Sequence, residues 1–183
     1  MLTIDVIEAC KSNDRKAQMT LYRNYCDGMY AVASRFLKNA MEAEDAVQDA
    51  FIKAFSKLHQ YKGDVTFGAW LKRIVINTCI DQIKAKKQQI IQLDEVHLKV
   101  VDTSNDNEWL VEDDILLARV KNAIEELPEK YRFVVMLYLI EGYDHQEISQ
   151  ILGISQVASR TQLSRGKAIL RENLKVLENG TRS

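Results

Sequence analysis

Proline and glycine are scarce in this 183-residue chain: there is one proline, Pro128, and there are seven glycines. Sheet-rich folds with many tight turns need more of both, so that architecture is excluded and an all-α fold is expected. Cysteine is equally thin. Cys10, Cys26 and Cys79 are odd in number and show no Cys-x-x-Cys spacing, and His59, His97 and His145 stand far from them along the chain. Neither a disulfide framework nor a zinc site is supported. No apolar run reaches the ~18 residues that span a bilayer, and the opening MLTIDVIEACKSND lacks an apolar core of signal-peptide length. A reduced, cytoplasmic protein without membrane insertion is expected.

Net charge is also lacking. The formal value is -1, low for a chain that would hold DNA unaided, because neutralising phosphate supplies most non-specific affinity. The distribution is less even than the sum. Five bases (Lys72, Arg73, Lys84, Lys86, Lys87) face one acid, Asp81, between Leu71 and Lys87, whereas Asp94 to Asp114 holds eight acids against Lys99 alone. Segregation of this kind points to separate jobs in separate segments. With 46% apolar residues the chain can bury one moderate core or two small ones.

Residues 1–87 read as helices with few breaks. Val47, Ala50, Phe51, Ala54, Phe55 and Leu58 follow the i, i+3, i+4 rule and define one buried stripe. Glu44, Asp45, Gln48, Asp49 and Ile52 fall on the other side, an acidic patch with an apolar residue beside it. That patch is either a solvated face or a surface on which a protein docks. After Tyr61-Lys62-Gly63-Asp64, a second long helix begins near Thr66, with Phe67, Trp70, Leu71 and Ile74 inward and Lys72, Arg73, Asn77 and Lys84 outward. Aromatics beside a basic, amide-bearing helix suit unpaired nucleic acid, since unstacked bases need a π-face and phosphates need cations. Phe67 and Trp70 at helical spacing equally suit a plain core.

Residues 88–113 lose periodicity and gain Asp, Asn, Ser and Thr, which reads as a flexible acidic linker, with Trp109 at the start of packing onto the next unit. That unit, 114–178, precedes a short tail, 179–183. Ile115, Leu116, Ala118, Val120, Ala123, Ile124 and Leu127 define its first helix. Pro128 opens the next as a first-turn residue. Phe133, Val134, Met136, Leu137 and Leu139 form a largely buried helix that Gly142 ends.

The stretch DHQEISQILGISQVASRTQLSRGKAIL, Asp144 to Leu170, then presents two helices about a forced turn. Ile148, Ile151 and Leu152 share one face; Gly153 can take positive φ cheaply and reverse the chain. Ser155 can cap the next helix. From Gln156 to Leu170 that helix carries Arg160, Arg165 and Lys167 and no acid, with Leu163, Ile169 and Leu170 inward. This is the helix-turn-helix pattern, the alternative being a helical hairpin with a solvated basic face.

Four blocks together carry a family resemblance: AEDAVQDAFIKAF (Ala43 to Phe55), FGAWLKRIVINTCID (Phe67 to Asp81), LPEKYRFVVMLYLIEGYDHQEISQILGIS (Leu127 to Ser155) and SRTQLSRGKAIL. In order, and over nearly the whole chain, they resemble the extracytoplasmic-function sigma factors, the compact promoter-recognition subunits of bacterial RNA polymerase. The resemblance implies two helical domains, of sigma region 2 and region 4 type. It implies RNA polymerase core (clamp of the largest subunit, flap of the second-largest) and promoter DNA as partners, with an anti-sigma factor as a further candidate. On these residues it places Asp45, Gln48, Asp49 and Ile52 at the polymerase clamp. It places Lys62, Asp64, Thr66, Arg73 and Asn77 at the minus-ten element, and Arg160, Thr161, Ser164 and Arg165 at the minus-thirty-five element. Arg160 has the reach to hold two acceptors on a guanine edge.

Two departures stand out. Ala158 and Ser159 occupy positions where many members carry Thr-Val, and Gly166 replaces a common alanine at a helix-propensity cost of up to ~1 kcal/mol. Both bear on the minus-thirty-five preference. Two other readings compete: a stand-alone helix-turn-helix transcriptional regulator working as a dimer, and a metal-dependent hydrolase using Glu44, Asp45 and Asp49. The first leaves the acidic helix face unexplained, and the second needs a facing acidic helix where the neighbours offer Lys and Arg. No cofactor, metal or catalytic residue is expected.

Overall fold

A computed structural model describes residues 4–93 and 112–180. Among the described residues there are eight α-helices and no strand, so the all-α expectation holds. The chain divides into two compact units, Met1–Leu98 and Lys99–Ser183.

The first unit is built from α1 (Ile4–Lys11), α2 (Arg15–Phe36), α3 (Ala40–Ser56), a 3-10 turn at Leu58–Gln60 and α4 (Phe67–Leu93). Asp14 caps α2 by accepting from the backbone N–H groups of Lys16 at 2.8 Å and Ala17 at 3.1 Å, and Asn39 caps α3 through Met41 and Glu42. Each cap satisfies donors that a helix start leaves unpaired. Helices α2, α3 and α4 pack on one another. Ala43, Ala46, Ala50 and Ala54 recur down the buried side of α3, and such small side chains let neighbouring helices come close. Val47, Phe51 and Leu58 fill the space between, as the periodicity predicts, with Leu21, Phe36, Leu71, Val75 and Ile76 from the partners. Helix α4 continues as helix to Leu93, six residues beyond the end expected near Lys87. Lys86 there bonds Glu42 of α3 at 2.6 Å, an exposed pair of small energetic worth. The acidic stretch 94–111, with Trp109, lies outside the described residues.

The second unit contains α5 (Glu112–Glu125), α6 (Glu129–Val135), a π-helical turn at Met136–Ile140, α7 (His145–Leu152) and α8 (Gln156–Gly180). Pro128 stands one place earlier than expected, as the N-cap of α6 rather than its first-turn residue. The expected long buried helix is interrupted. At Met136–Ile140 the backbone widens, the Glu141 N–H donating to the Met136 carbonyl five residues back. The extra residue shifts the helical phase, so Tyr138, Leu139 and Ile140 turn outward and Leu139 is 48% exposed where burial was expected. Gly142, at φ 76°, and Gly153, at φ 69°, end their helices in the left-handed region.

Helix α8 packs on α5, α6 and α7. Its contact with α6 is made at Gly166. A Cβ there would lie 2.7 Å from Val135 Cγ2 and 3.2 Å from Tyr131 Cβ. The glycine is therefore the condition of close approach and not merely a propensity cost. Gly166→Ala gains up to ~1 kcal/mol in helix propensity but overpacks a wholly buried valine, at a cost of about 1–3 kcal/mol. The expected outcome in urea unfolding of the full chain is a net loss of about 1 kcal/mol; a gain in stability would show that the two helices do not meet so closely.

Cys79 on α4 is fully buried, and burial pushes its thiol from the ordinary 9.0 up to about 12. In the folded chain it stays protonated while the unfolded chain ionises above pH 9. Its contribution is complete below about pH 9 and is lost as pH rises toward about 12. The urea midpoint should fall more steeply between these limits for the wild type than for Cys79→Ala, whose unfolded state has no such thiol to ionise.

Candidate functional site

Three exposed surfaces, each the outward side of a helix whose inward side is packed, hold the residues singled out from the sequence.

On α3, Asp45, Gln48, Asp49 and Ile52 are all exposed, opposite the alanine stripe. Their spacing places them on one face at about 100° per residue. Met41, four residues before Asp45, belongs to the same face and is 74% exposed; Ile52 is 68% exposed. Two apolar side chains thus flank an acidic pair. Met41 was missed because a methionine in the first turn of an amphipathic helix gives no sign of which side it joins. Among the described residues no three His, Cys, Asp or Glu side chains converge to hold a metal ion.

Around the start of α4, Lys62, Asp64 and Thr66 are exposed in a loop that the structure straps down. The Tyr61 hydroxyl donates to the Val65 carbonyl at 2.7 Å, and Gly63 supplies a φ of 81°. Thr66 Oγ1 accepts from the Ala69 N–H at 3.3 Å, so this residue caps α4 as well as standing in the loop. Thr66, Trp70, Arg73 and Asn77 recur at helical spacing on one face, Asn77 exposed, Arg73 and Trp70 half-buried. The two aromatics divide. Phe67 is buried, with Tyr25, Tyr61 and Trp70 around it at centroid distances of 5.3, 5.7 and 5.7 Å, and is core. Trp70 packs on Tyr61 at 5.4 Å yet keeps an exposed part beside Arg73.

In the second unit, α7 opens with a reciprocal cap: the Glu147 N–H donates to Asp144 Oδ1 at 2.8 Å and the Asp144 N–H to Glu147 Oε2 at 3.0 Å. The Asp-x-x-Glu spacing was the signal for it. Ser155 caps α8 as expected, accepting from the Ala158 N–H at 3.0 Å. Arg160, Thr161, Ser164 and Arg165 are all exposed on one side of α8, while Ser159, Leu163, Gly166 and Leu170 are buried on the other. Val157, 69% exposed, joins the outer face. Thr161 donates its hydroxyl hydrogen to the Val157 carbonyl at 3.0 Å, which leaves its oxygen free only to accept. Ser159, read from the sequence as a departure near the recognition face, is internal: fully buried, with its Oγ 2.8 Å from His145 Nδ1. His145 stacks on Tyr138 at 5.0 Å, and Lys167 Nζ lies 5.4 Å from that ring's centroid. This chain of contacts ties α7, the π-helical turn and α8 at a fixed angle.

The sigma-70 region 2 family matches residues 21–89, and sigma-70 region 4 matches residues 117–170. The ECF RNA polymerase sigma factor SigW of Bacillus subtilis is 32% identical over 179 residues, spanning 93% of this chain and 96% of that protein. The chain belongs to the extracytoplasmic-function sigma factors. The ECF sigma factor SigE of Mycolicibacterium smegmatis is also 32% identical, over 155 residues, which are 84% of this chain and 60% of that one. Among solved structures, the sigma factor RpoE of Bartonella quintana, in complex with the anti-sigma factor NepR, shares the fold at a TM-score of 0.61. It is 23% identical and the match covers 86% of this chain and 96% of that one. The region 2 match contains the faces on α3 and α4, and the region 4 match contains the exposed face of α8. As a sigma factor the chain acts in transcription initiation, which sets aside the stand-alone repressor reading.

Proposed function

We propose that this sigma factor delivers RNA polymerase core to promoters by holding polymerase on α3 and DNA on α4 and α8, with no bond-making chemistry of its own. Polymerase makes the RNA, and this chain chooses where. The work takes place on DNA in the cytoplasm. The observation that carries the reading is the division of labour among outward faces. An acidic strip with apolar ends stands on α3, a face carrying Trp70, Arg73 and Asn77 on α4, and, from Gln156 to Leu170, an acid-free basic strip on α8.

The α3 face suits a protein partner because Met41 and Ile52 are exposed at its two ends, about 16 Å apart along the helix axis, and desolvating them rewards docking. A basic or amide-rich clamp surface on the largest polymerase subunit would pair with Asp45 and Asp49, with Gln48 between. On α4, Lys62, Arg73 and Asn77 supply cation and amide contacts to the minus-ten element, Asp64 and Thr66 supply acceptors to exposed base edges, and Trp70 supplies a stacking surface. On α8, Arg160 is the base reader at the minus-thirty-five element. Thr161 and Val157 offer apolar contacts suited to a thymine methyl, and Ser164 and Arg165 hold the backbone. The flap of the second-largest subunit is the further polymerase contact, on the second unit. An anti-sigma factor that covers these faces would hold the protein inactive, as a partner of the kind seen with the Bartonella quintana relative.

The deciding experiment is co-purification with bacterial core polymerase at moderate salt. Stoichiometric capture of the wild type is expected, with at least tenfold weaker capture of the double variant Asp45→Ala, Asp49→Ala. Capture of neither, together with specific binding of a palindromic duplex by the free chain, would return the repressor reading. On a promoter found by run-off transcription, Arg160→Ala should cost ~1–3 kcal/mol in discrimination at a single upstream base pair. Equal loss on every upstream sequence would instead make Arg160 a phosphate contact.

A further inference from the structure

Beside the recognition face of α8, an open groove of about 340 Å³ runs between the first turn of α6 and α8. Its polar lining is Lys130, Tyr131, Ser155, Thr161, Gln162 and Arg165, with no carboxylate. Two cations, the hydroxyls of Tyr131 and Ser155 and an amide, without an acid, form a receptor for an anion rich in oxygen acceptors. The cations converge. Lys130 Nζ lies 4.8 Å from the Tyr131 ring centroid, and Arg165 lines the same groove. These two cations hold the phenol below its ordinary 10.0 even though the ring tip is open to solvent.

Packing places these groups together. Tyr131 Cβ lies where a side chain at 166 would press on it at 3.2 Å, so the bare Gly166 is what brings the turn carrying Lys130 and Tyr131 against α8, one residue from Arg165. The same glycine that looked like a local weakness is what closes one wall of the groove.

We propose that this groove seats one backbone phosphate of the upstream promoter duplex, with Lys130 and Arg165 as its cations and the Tyr131 hydroxyl as a donor. The proposal rests on reading α8 as the promoter-recognition helix and gives a positioning role to two residues of α6 that lie outside the helix-turn-helix. An open groove suits a phosphate carried on a polymer that continues past both ends, whereas a free small anion would gain most from enclosure. Ser155, whose oxygen caps α8, keeps its hydroxyl hydrogen for the same anion. A contact of this type fixes register on the duplex and carries no sequence information.

The test uses holoenzyme assembled with core polymerase on a promoter duplex recovered by run-off transcription, with affinity measured across salt concentrations. Lys130→Gln is expected to weaken binding several-fold, equally on matched and upstream-mismatched duplexes, and to reduce the slope of log affinity against log salt by about 0.9. Lys130→Arg should restore the slope. Tyr131→Phe should weaken binding with the slope unchanged, since it removes a donor and no charge. Upstream protection by the wild type, with slope and affinity untouched in Lys130→Gln, overturns this proposal alone. No upstream protection by the wild type overturns the α8 reading and this one with it. Displacement of the duplex by inorganic phosphate, beyond that caused by chloride of equal ionic strength, would make free phosphate the ligand and also overturn it.

Discussion

Close approach of helices over small side chains is the constraint on which both units depend. In α3 the small positions are Ala43, Ala46, Ala50 and Ala54, all essentially without exposure. In α8 the position is Gly166, where even a methyl group would collide with Val135. A helix that must present one face to a partner can be held only by the other. Small residues there let neighbours press against the backbone, so a narrow inward stripe suffices and the outward residues are released for binding. The outward faces of α3 and α8 are correspondingly free of packing obligations: Asp45, Asp49, Arg160, Thr161 and Arg165 are all exposed.

Apolar packing limits distance more sharply than rotation, and the buried polar side chains supply the missing specificity. Among the described residues only Thr78, Arg132 and Ser159 are buried and polar or charged. Thr78 Oγ1 donates to the Ile74 carbonyl at 2.9 Å and accepts from Lys53 Nζ of α3 at 3.3 Å, linking α3 to α4. Ser159 bonds His145 and thereby fixes the roll of α8 against α7. A buried hydrogen bond of this type adds modest stability, but its loss strands a partner in a dry site, which penalises every rotated arrangement. Burial lowers the Arg132 guanidinium below its ordinary range, against the electrostatic pull of Glu129 and Glu125, and its buried Nε has no hydrogen-bond partner, so α6 carries a charge at some desolvation cost.

Much of this was legible in the residues because local rules and tertiary demands agree. The alternation of apolar positions in α3, the Gly153 turn and the Ser155 cap each follow from one side chain's chemistry, and the structure has them where expected. The failures share a cause. The π-helical turn at Met136–Ile140 inserts a phase shift that no 3.6-residue pattern announces, so Leu139 was assigned inward. Gly166 and Ser159 looked like departures at a DNA surface because the face a residue joins depends on what packs behind it. The end of α4 was drawn where periodicity fades, yet a backbone can remain helical on Lys, Gln and Ile without an amphipathic stripe. Lys130 and Tyr131 were invisible as a site, since their relation to Arg165 exists only across the α6 and α8 contact.

The near-zero net charge follows from this arrangement rather than opposing it. A DNA-binding surface strong enough to act alone would hold the chain on non-specific sites, because phosphate contacts are paid by counterion release at any sequence. Here the basic clusters on α4 and α8 are offset in the sum by acids elsewhere, those of α3 and of residues 94–114 among them. On the proposed reading each DNA surface is individually weak. On that reading too, with the two joined in one chain and held on polymerase, the second contact becomes intramolecular, and its effective concentration replaces intrinsic affinity. Under that regime a phosphate seat in the α6 and α8 groove is useful for its placement more than for its strength. In that proposal it sets the register in which Arg160 meets a base edge, once polymerase has brought the duplex within reach.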